Sequence, residues 1–146
     1  MKMSSALFLS LWITSLAVLS ACGARLNGTY TLNQQGALIQ SRSVGGQNCS
    51  QITLAVQDTG AMISGQGQNA CFTQTIQGQI TSGQASVVVT ISPLAQSYGT
   101  GGTGGCSYQG SLNFSGNSIS GTLSSANSSY NMGDCTGTLS LNGVRN

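Results

Sequence analysis

The residues able to do chemistry in this 146-residue chain are few: five cysteines, Asp58, Asp134, Arg25, Arg42, Arg145 and Lys2, with no histidine and no glutamate. General acid–base catalysis needs a positioned group with a tunable pKa, most often His, Glu or Lys. Beyond Lys2, near the start of the chain, none of these exists here. The many serines are inert as nucleophiles without a base to activate one of them. Zinc, iron and copper sites need imidazole, carboxylate or free thiolate, and two aspartates do not make a typical calcium cage. Three arginines cannot neutralise a phosphate backbone, which argues against nucleic acid. The composition therefore points to a non-catalytic protein with no cofactor and no metal.

The chemistry that remains belongs to the cysteines. Lys2 precedes an apolar stretch from Ala6 to Leu19. A short positive region before an apolar run of that length reads as a secretory signal, too short for a comfortable membrane span. The run ends in Leu19-Ser20-Ala21-Cys22, which resembles the bacterial lipobox: an aliphatic residue, two small residues, then the cysteine that receives lipid before cleavage. The resemblance implies a signal peptide over residues 1–21 and a lipidated Cys22, palmitate included, with residues 22–25 as a short tether to a membrane. Gly23, where an aspartate would imply inner-membrane retention, leans toward the outer membrane. Removing Cys22 leaves Cys49, Cys71, Cys106 and Cys135, an even set suited to two disulfides in a secreted protein.

Two further motifs invite a chemical reading. Asp58-Thr59-Gly60-Ala61 resembles the catalytic loop of retroviral-type aspartic proteases, whose paired aspartates share a proton. Gln57, however, stands where that family has an apolar residue, and Asp-Thr-Gly is equally the composition of a tight hairpin. The glycine-rich run from Gly99 to Gly105 lacks the lysine and the strand-to-helix junction of a phosphate-binding loop. It lies in the longest irregular stretch, Leu94 to Gly105, together with Tyr98. Long loops on rigid β scaffolds are common binding surfaces. Tyr98, Tyr108 and Tyr130 are the candidate contacts for a ligand or partner, because an aromatic with a polar tip suits such contacts.

The elements that must position these residues follow a period of two. Ile52, Leu54 and Val56 alternate with Thr53, Ala55 and Gln57, and the same pattern recurs at Val87, Val89 and Ile91, at Leu112 and Phe114, at Ile119 and Leu123, and at Leu139 and Leu141. Alternation of this kind predicts half-buried antiparallel strands. Asp58-Thr59-Gly60, Ser82-Gly83 and Gly116-Asn117 divide them as hairpin turns, giving strands over Gln51–Gln57, Ala61–Gln66, Phe72–Thr81, Gln84–Ser92, Ser107–Ser115 and Ser118–Ser125. Pro93 closes one strand where a missing N–H costs least. No stretch past the leader shows a helical period. The expectation is a single all-β domain over residues 26–146, an antiparallel meander of about eight strands closed as a small barrel or packed as a sandwich.

Cys49-Ser50, Ile63-Ser64-Gly65 and Cys71 are echoed by Cys106-Ser107, Ile119-Ser120-Gly121 and Cys135. Upstream, Leu26 to Thr31 is echoed by Ile76 to Thr81. The echo suggests two related halves, and with it the pairing Cys49–Cys71 and Cys106–Cys135. Four cysteines permit three pairings, and the sequence does not choose among them. Each bridge is expected to contribute about 2–4 kcal/mol. The opening Leu26-Asn27-Gly28-Thr29-Tyr30 resembles the first strand of the lipocalin and avidin group of small calyx barrels, with Tyr30 in place of the usual tryptophan. The resemblance implies a barrel and transfers no binding residues.

The expected function is that of an envelope lipoprotein that binds an uncharged small ligand, a glycan or an envelope partner. The alternative is a structural or surface-exposed coat or adhesion lipoprotein, for which the Gln/Ser/Asn surface is the working property. An enzyme inhibitor is a third physical option, although no inhibitory loop can be named. A cavity lined by apolar and tyrosine side chains would favour binding; a filled interior with a flat polar face would favour the coat.

Overall fold

The computed structural model describes residues 26–40, 48–94, 105–126 and 135–146, and within them eight strands close into one barrel. The strands are β1 (Gly28–Gln35), β2 (Gln51–Asp58), β3 (Met62–Gln68), β4 (Phe72–Thr81), β5 (Gln84–Pro93), β6 (Cys106–Ser115), β7 (Ser118–Ser125) and β8 (Thr138–Arg145). Each pairs antiparallel with its chain neighbour, and β8 returns to β1 from Tyr30↔Arg145 to Gln35↔Ser140. β4 and β7 start and stop where alternation and turn chemistry predict. That last pairing decides barrel over sandwich.

Closure is made sterically feasible by glycine. Gly65, Gly67, Gly78, Gly110, Gly121 and Gly143 take the inward phase of their strands, and at all but Gly65 a Cβ would run into a neighbouring strand's backbone or inward side chain. At Gly78 a Cβ would run into the Ser86 carbonyl oxygen, a contact no side chain survives. Inward glycines let strands bend sharply enough to coil a small barrel. The pairing line from Gly28 through Val56, Gly65, Ile76, Val89 and Tyr108 to Ser125 climbs steadily, and it meets β1 again about ten residues on, at the level of Leu38. Such a stagger tilts the strands by about 40° to the axis and leaves a bore just wide enough for side chains to fill.

The inward phase fills it. Tyr30, Leu32, Ile52, Leu54, Ile76, Val89, Leu112, Leu123 and Leu139 are all buried. The outward phase is Thr, Gln, Ser and Asn, interrupted by Met62, Val88 and Val144. A barrel crossing a bilayer has the opposite arrangement, apolar outside and polar within. No helix among the described residues is long and apolar enough to span a membrane either.

The two ends differ. At the hairpin end, tight turns join β2 to β3, β4 to β5 and β6 to β7. Ser82 and Gly83 both take positive φ, 50° and 80°, as a two-residue hairpin turn with the twist of its strands requires. At the loop end lie the β3–β4 turn, the longer connections after β1, β5 and β7, and both disulfides. Cys49–Cys71 ties the approach to β2 to the approach to β4, and Cys106–Cys135 ties β6 to the approach to β8. One expectation is corrected here. A single helical turn, α1 (Ala37–Gln40), follows β1, closed by the Gln40 N–H donating to the Gly36 carbonyl at 3.0 Å. One turn is too short to print a 3.6-residue period on a sequence. What holds it is the burial of Leu38 and Ile39 against the loop end of the bore.

Candidate functional site

The hairpin end is built to stay shut. Arg145, in the inward phase of β8, lays its stem across Gly28, where a Cβ would stand 2.7 Å from its Cδ. Its guanidinium donates to Asn117 Oδ1 at 2.7 Å and to the Asn27 carbonyl at 3.5 Å. Beneath it the Tyr30 hydroxyl donates to the Leu26 carbonyl at 3.0 Å, and burial raises the pKa of this phenol above 10.0 while the nearby guanidinium pulls the other way. Asp58 belongs to this closure. Its carboxylate accepts from the Leu26 N–H at 3.0 Å and from the Gly60 N–H, the Asx turn that Asp-Thr-Gly makes in a tight hairpin.

The loop end is the candidate site. Its frame comes from short polar residues between strands. Asn69 accepts from the N–H groups of Cys71 and Phe72 at 2.9 and 2.8 Å and donates to the carbonyls of Cys49 and Gln51 at 3.1 and 3.0 Å. One side chain thus joins the β3–β4 turn to the start of β2, beside the Cys49–Cys71 bridge. Asn48 accepts from the Ser50 N–H at 3.0 Å and fixes the entry to β2. A cleft of about 380 Å³ opens here between β1, α1 and β2, lined by Gln34, Gln35, Ile39, Gln40, Asn48 and Ser50 with Cys49.

Within the bore, just below this end, sit two glutamines. Gln34 is 0 % exposed and Gln74 is 1 % exposed, and neither amide, at Oε1 or Nε2, has a hydrogen-bond partner. Both face inward, Gln34 in phase with Tyr30 and Leu32, and Gln74 in phase with Phe72 and Ile76. Pairing and stagger set them at one level of the barrel on well-separated strands, β1 and β4, and bring Tyr108 of β6, Ile52 and Leu123 to the same level. Above them the roof is apolar: Phe72, Ile91 and Leu139, then α1 and the disulfides. A buried amide without a partner costs about 1–3 kcal/mol. Two of them facing one bore are therefore the most conspicuous energetic conflict among the described residues.

Of the three candidate tyrosines, Tyr108 alone is among the described residues; it is 1 % exposed and points into the bore, at the level of the two amides. Tyr98, Tyr130 and Cys22 lie outside the described residues, as does the Leu94–Gly105 loop between its ends. Gln34 and Gln74 were missed because glutamine recurs in each strand from β1 to β6. The signal was their phase: each continues an inward series that is otherwise apolar.

The outer wall offers a different surface. A shallow groove of about 620 Å³ crosses β4, β5 and β6, lined by Gln77, Gln79, Ser86, Val88, Gln109 and Ser111 among others. The charged side chains among the described residues, Asp58 and Arg145, both lie at the hairpin end, so the outward face of the described strands carries no charge. Compared with protein-family models, with curated proteins and with solved structures, the chain matches none.

Proposed function

We propose that this protein is a lipid-anchored, non-catalytic binding module that takes up an uncharged ligand at the disulfide-stapled end of its barrel. The observation that carries the reading is the pair of sealed, unpartnered amides of Gln34 and Gln74. A polar conflict of this size is tolerated where another state of the protein relieves it, and binding sites are the usual place. The filled bore speaks against a deep calyx around a large ligand and favours recognition at the mouth. The neutrality of the described interior speaks for an uncharged ligand, since a buried charge without a counter-charge is far costlier than a buried amide. Access requires the mouth to open. α1 is the element to move, a single turn resting on two apolar side chains.

The anchor rests on the leader sequence, with lipid on Cys22 and a place in the bacterial envelope, at the outer membrane. The alternative reading, a coat or adhesion element, draws support from the filled bore and from an outer wall that is hydroxyl- and amide-rich and carries no charged side chain over the described strands. No comparable observation favours an inhibitor.

Native mass spectrometry of protein extracted gently from its own envelope tests both parts. The expected result is added lipid mass on Cys22 and a non-covalent mass retained by the wild type but lost from the Gln34→Met/Gln74→Met double variant. An unmodified Cys22 would remove the anchor. A wild type bare under the mildest extraction would shift the function to the coat reading.

A further inference from the structure

We infer that the ligand class is a neutral N-acetylated sugar, whose acetamido group enters through the cleft beside α1 and answers the amides of Gln34 and Gln74. The inference rests on the binding reading above and names its ligand.

The inventory of donors and acceptors leads to it. Each glutamine amide offers two N–H donors and one carbonyl acceptor. A carboxylate entering the bore would accept from the donors, leave both carbonyls unanswered and bring a charge with no counter-charge among the described interior residues. An ammonium would fail in the mirror sense. A hydrocarbon would answer neither amide. A secondary amide presents one N–H and one C=O on opposite sides, matching a pair of amides held at one level on separate strands. Ile52 and Leu123 stand at that level, both buried, and supply apolar surface for the methyl of an acetyl group.

The cleft narrows the class further. Outward from Gln34 its wall is Gln35, Gln40, Asn48 and Ser50, all uncharged hydrogen-bonding side chains, with Ile39 beside them. Such a wall suits ring hydroxyls and gives a lipid tail little to cover. Its volume of about 380 Å³ lies at the small end of ligand clefts, which run from roughly 300 to 1,000 Å³. A mono- or disaccharide fits that scale. Because both amides are sealed, the acetamido group reaches them only as Ile39 and α1 give way and the roof of Phe72, Ile91 and Leu139 shifts with them, which makes binding slower than diffusion and coupled to the mouth.

The test is an amide NMR titration of isotope-labelled protein with both disulfides formed. The probes are N,N′-diacetylchitobiose, cellobiose, which keeps the ring hydroxyls and lacks the acetamido groups, and N-acetylglycinamide, which keeps the amide and lacks the sugar. The expected result is saturable shifts of the Gln34 and Gln74 side-chain NH₂ signals with diacetylchitobiose only, weakened at least ten-fold by Gln34→Met. Equal binding of cellobiose, or equal binding of N-acetylglycinamide, would overturn the sugar assignment. So would no saturable shift at all. If Gln34→Met does not fold, the contrast between diacetylchitobiose and cellobiose on the wild type decides alone. A different mass carried by the native protein, with no response to diacetylchitobiose, would reject the sugar and keep the binding module. A bare native protein with no response would reject both.

Discussion

Replacing Gln34 or Gln74 by methionine should make the ligand-free protein more stable, an unusual outcome for a substitution in a packed bore. Methionine follows the unbranched path of glutamine and adapts to irregular space, so the cavity and clash terms are small. What changes is the polar cost. Each amide is sealed with both polar atoms unpartnered, and relieving such a group is worth about 1–3 kcal/mol. Gln34 and Gln74 lie on β1 and β4 with two strands between them and share no partner, so the two gains should nearly add. Equilibrium unfolding in guanidinium chloride at neutral pH, with both disulfides intact, measures the effect directly. The expected signature is a raised midpoint with an unchanged slope, and a rise in melting temperature of roughly 3–5 °C per kcal/mol for a domain of this size. The gain should be accompanied by lost ligand retention, the usual exchange between stability and a strained site. A fall in stability of about 1 kcal/mol or more in either single variant would refute the reasoning, because it would mean that the amide is satisfied in solution.

Four other outcomes follow from the same geometry. Gly78→Ala drives a Cβ into the Ser86 carbonyl oxygen and should cost about 3 kcal/mol or more or prevent folding, whereas Gly60→Ala meets open space and should cost only about 1 kcal/mol for its positive φ; thermal melts of the two compare them directly. Replacing both Cys49 and Cys71 with serine frees a loop of 22 residues and should lower stability by about 3 kcal/mol, read from denaturant midpoints under oxidising conditions. The phenol of Tyr30 ionises later in the folded protein than in the unfolded chain, so its contribution is complete below pH 10.0 and is lost as pH rises through the folded value. In an alkaline titration followed by circular dichroism, Tyr30→Phe should therefore flatten part of the loss, while its neutral-pH stability falls by about 1 kcal/mol with the hydroxyl bond to the Leu26 carbonyl.

Strand positions were legible because their causes are local. Alternation at Val87, Val89 and Ile91 and turn chemistry at Ser82-Gly83 both act within a few residues, and together they mark the turn between β4 and β5 and the extent of β5 to within one residue. The two glutamines were partly legible. Gln34 continues the inward series of Tyr30 and Leu32, so phase alone marks it as buried, yet nothing along the chain says whether a partner waits across the bore. α1 was not legible at all, since one turn carries no period and only Leu38 and Ile39 meeting the mouth justify it.

By itself, then, the sequence determined the all-β meander, its turns, a chain without histidine or glutamate and a cysteine set suited to two bridges. The tertiary structure alone decided that β8 closes on β1, that the bridges are Cys49–Cys71 and Cys106–Cys135, and that Gln34, Gln74 and Tyr108 share one level beneath an apolar roof. The division is physical. Periodicity and turn preference are properties of neighbours in the chain, whereas closure, stagger and the company a buried amide keeps depend on how far inward glycines let eight strands coil before the first meets the last.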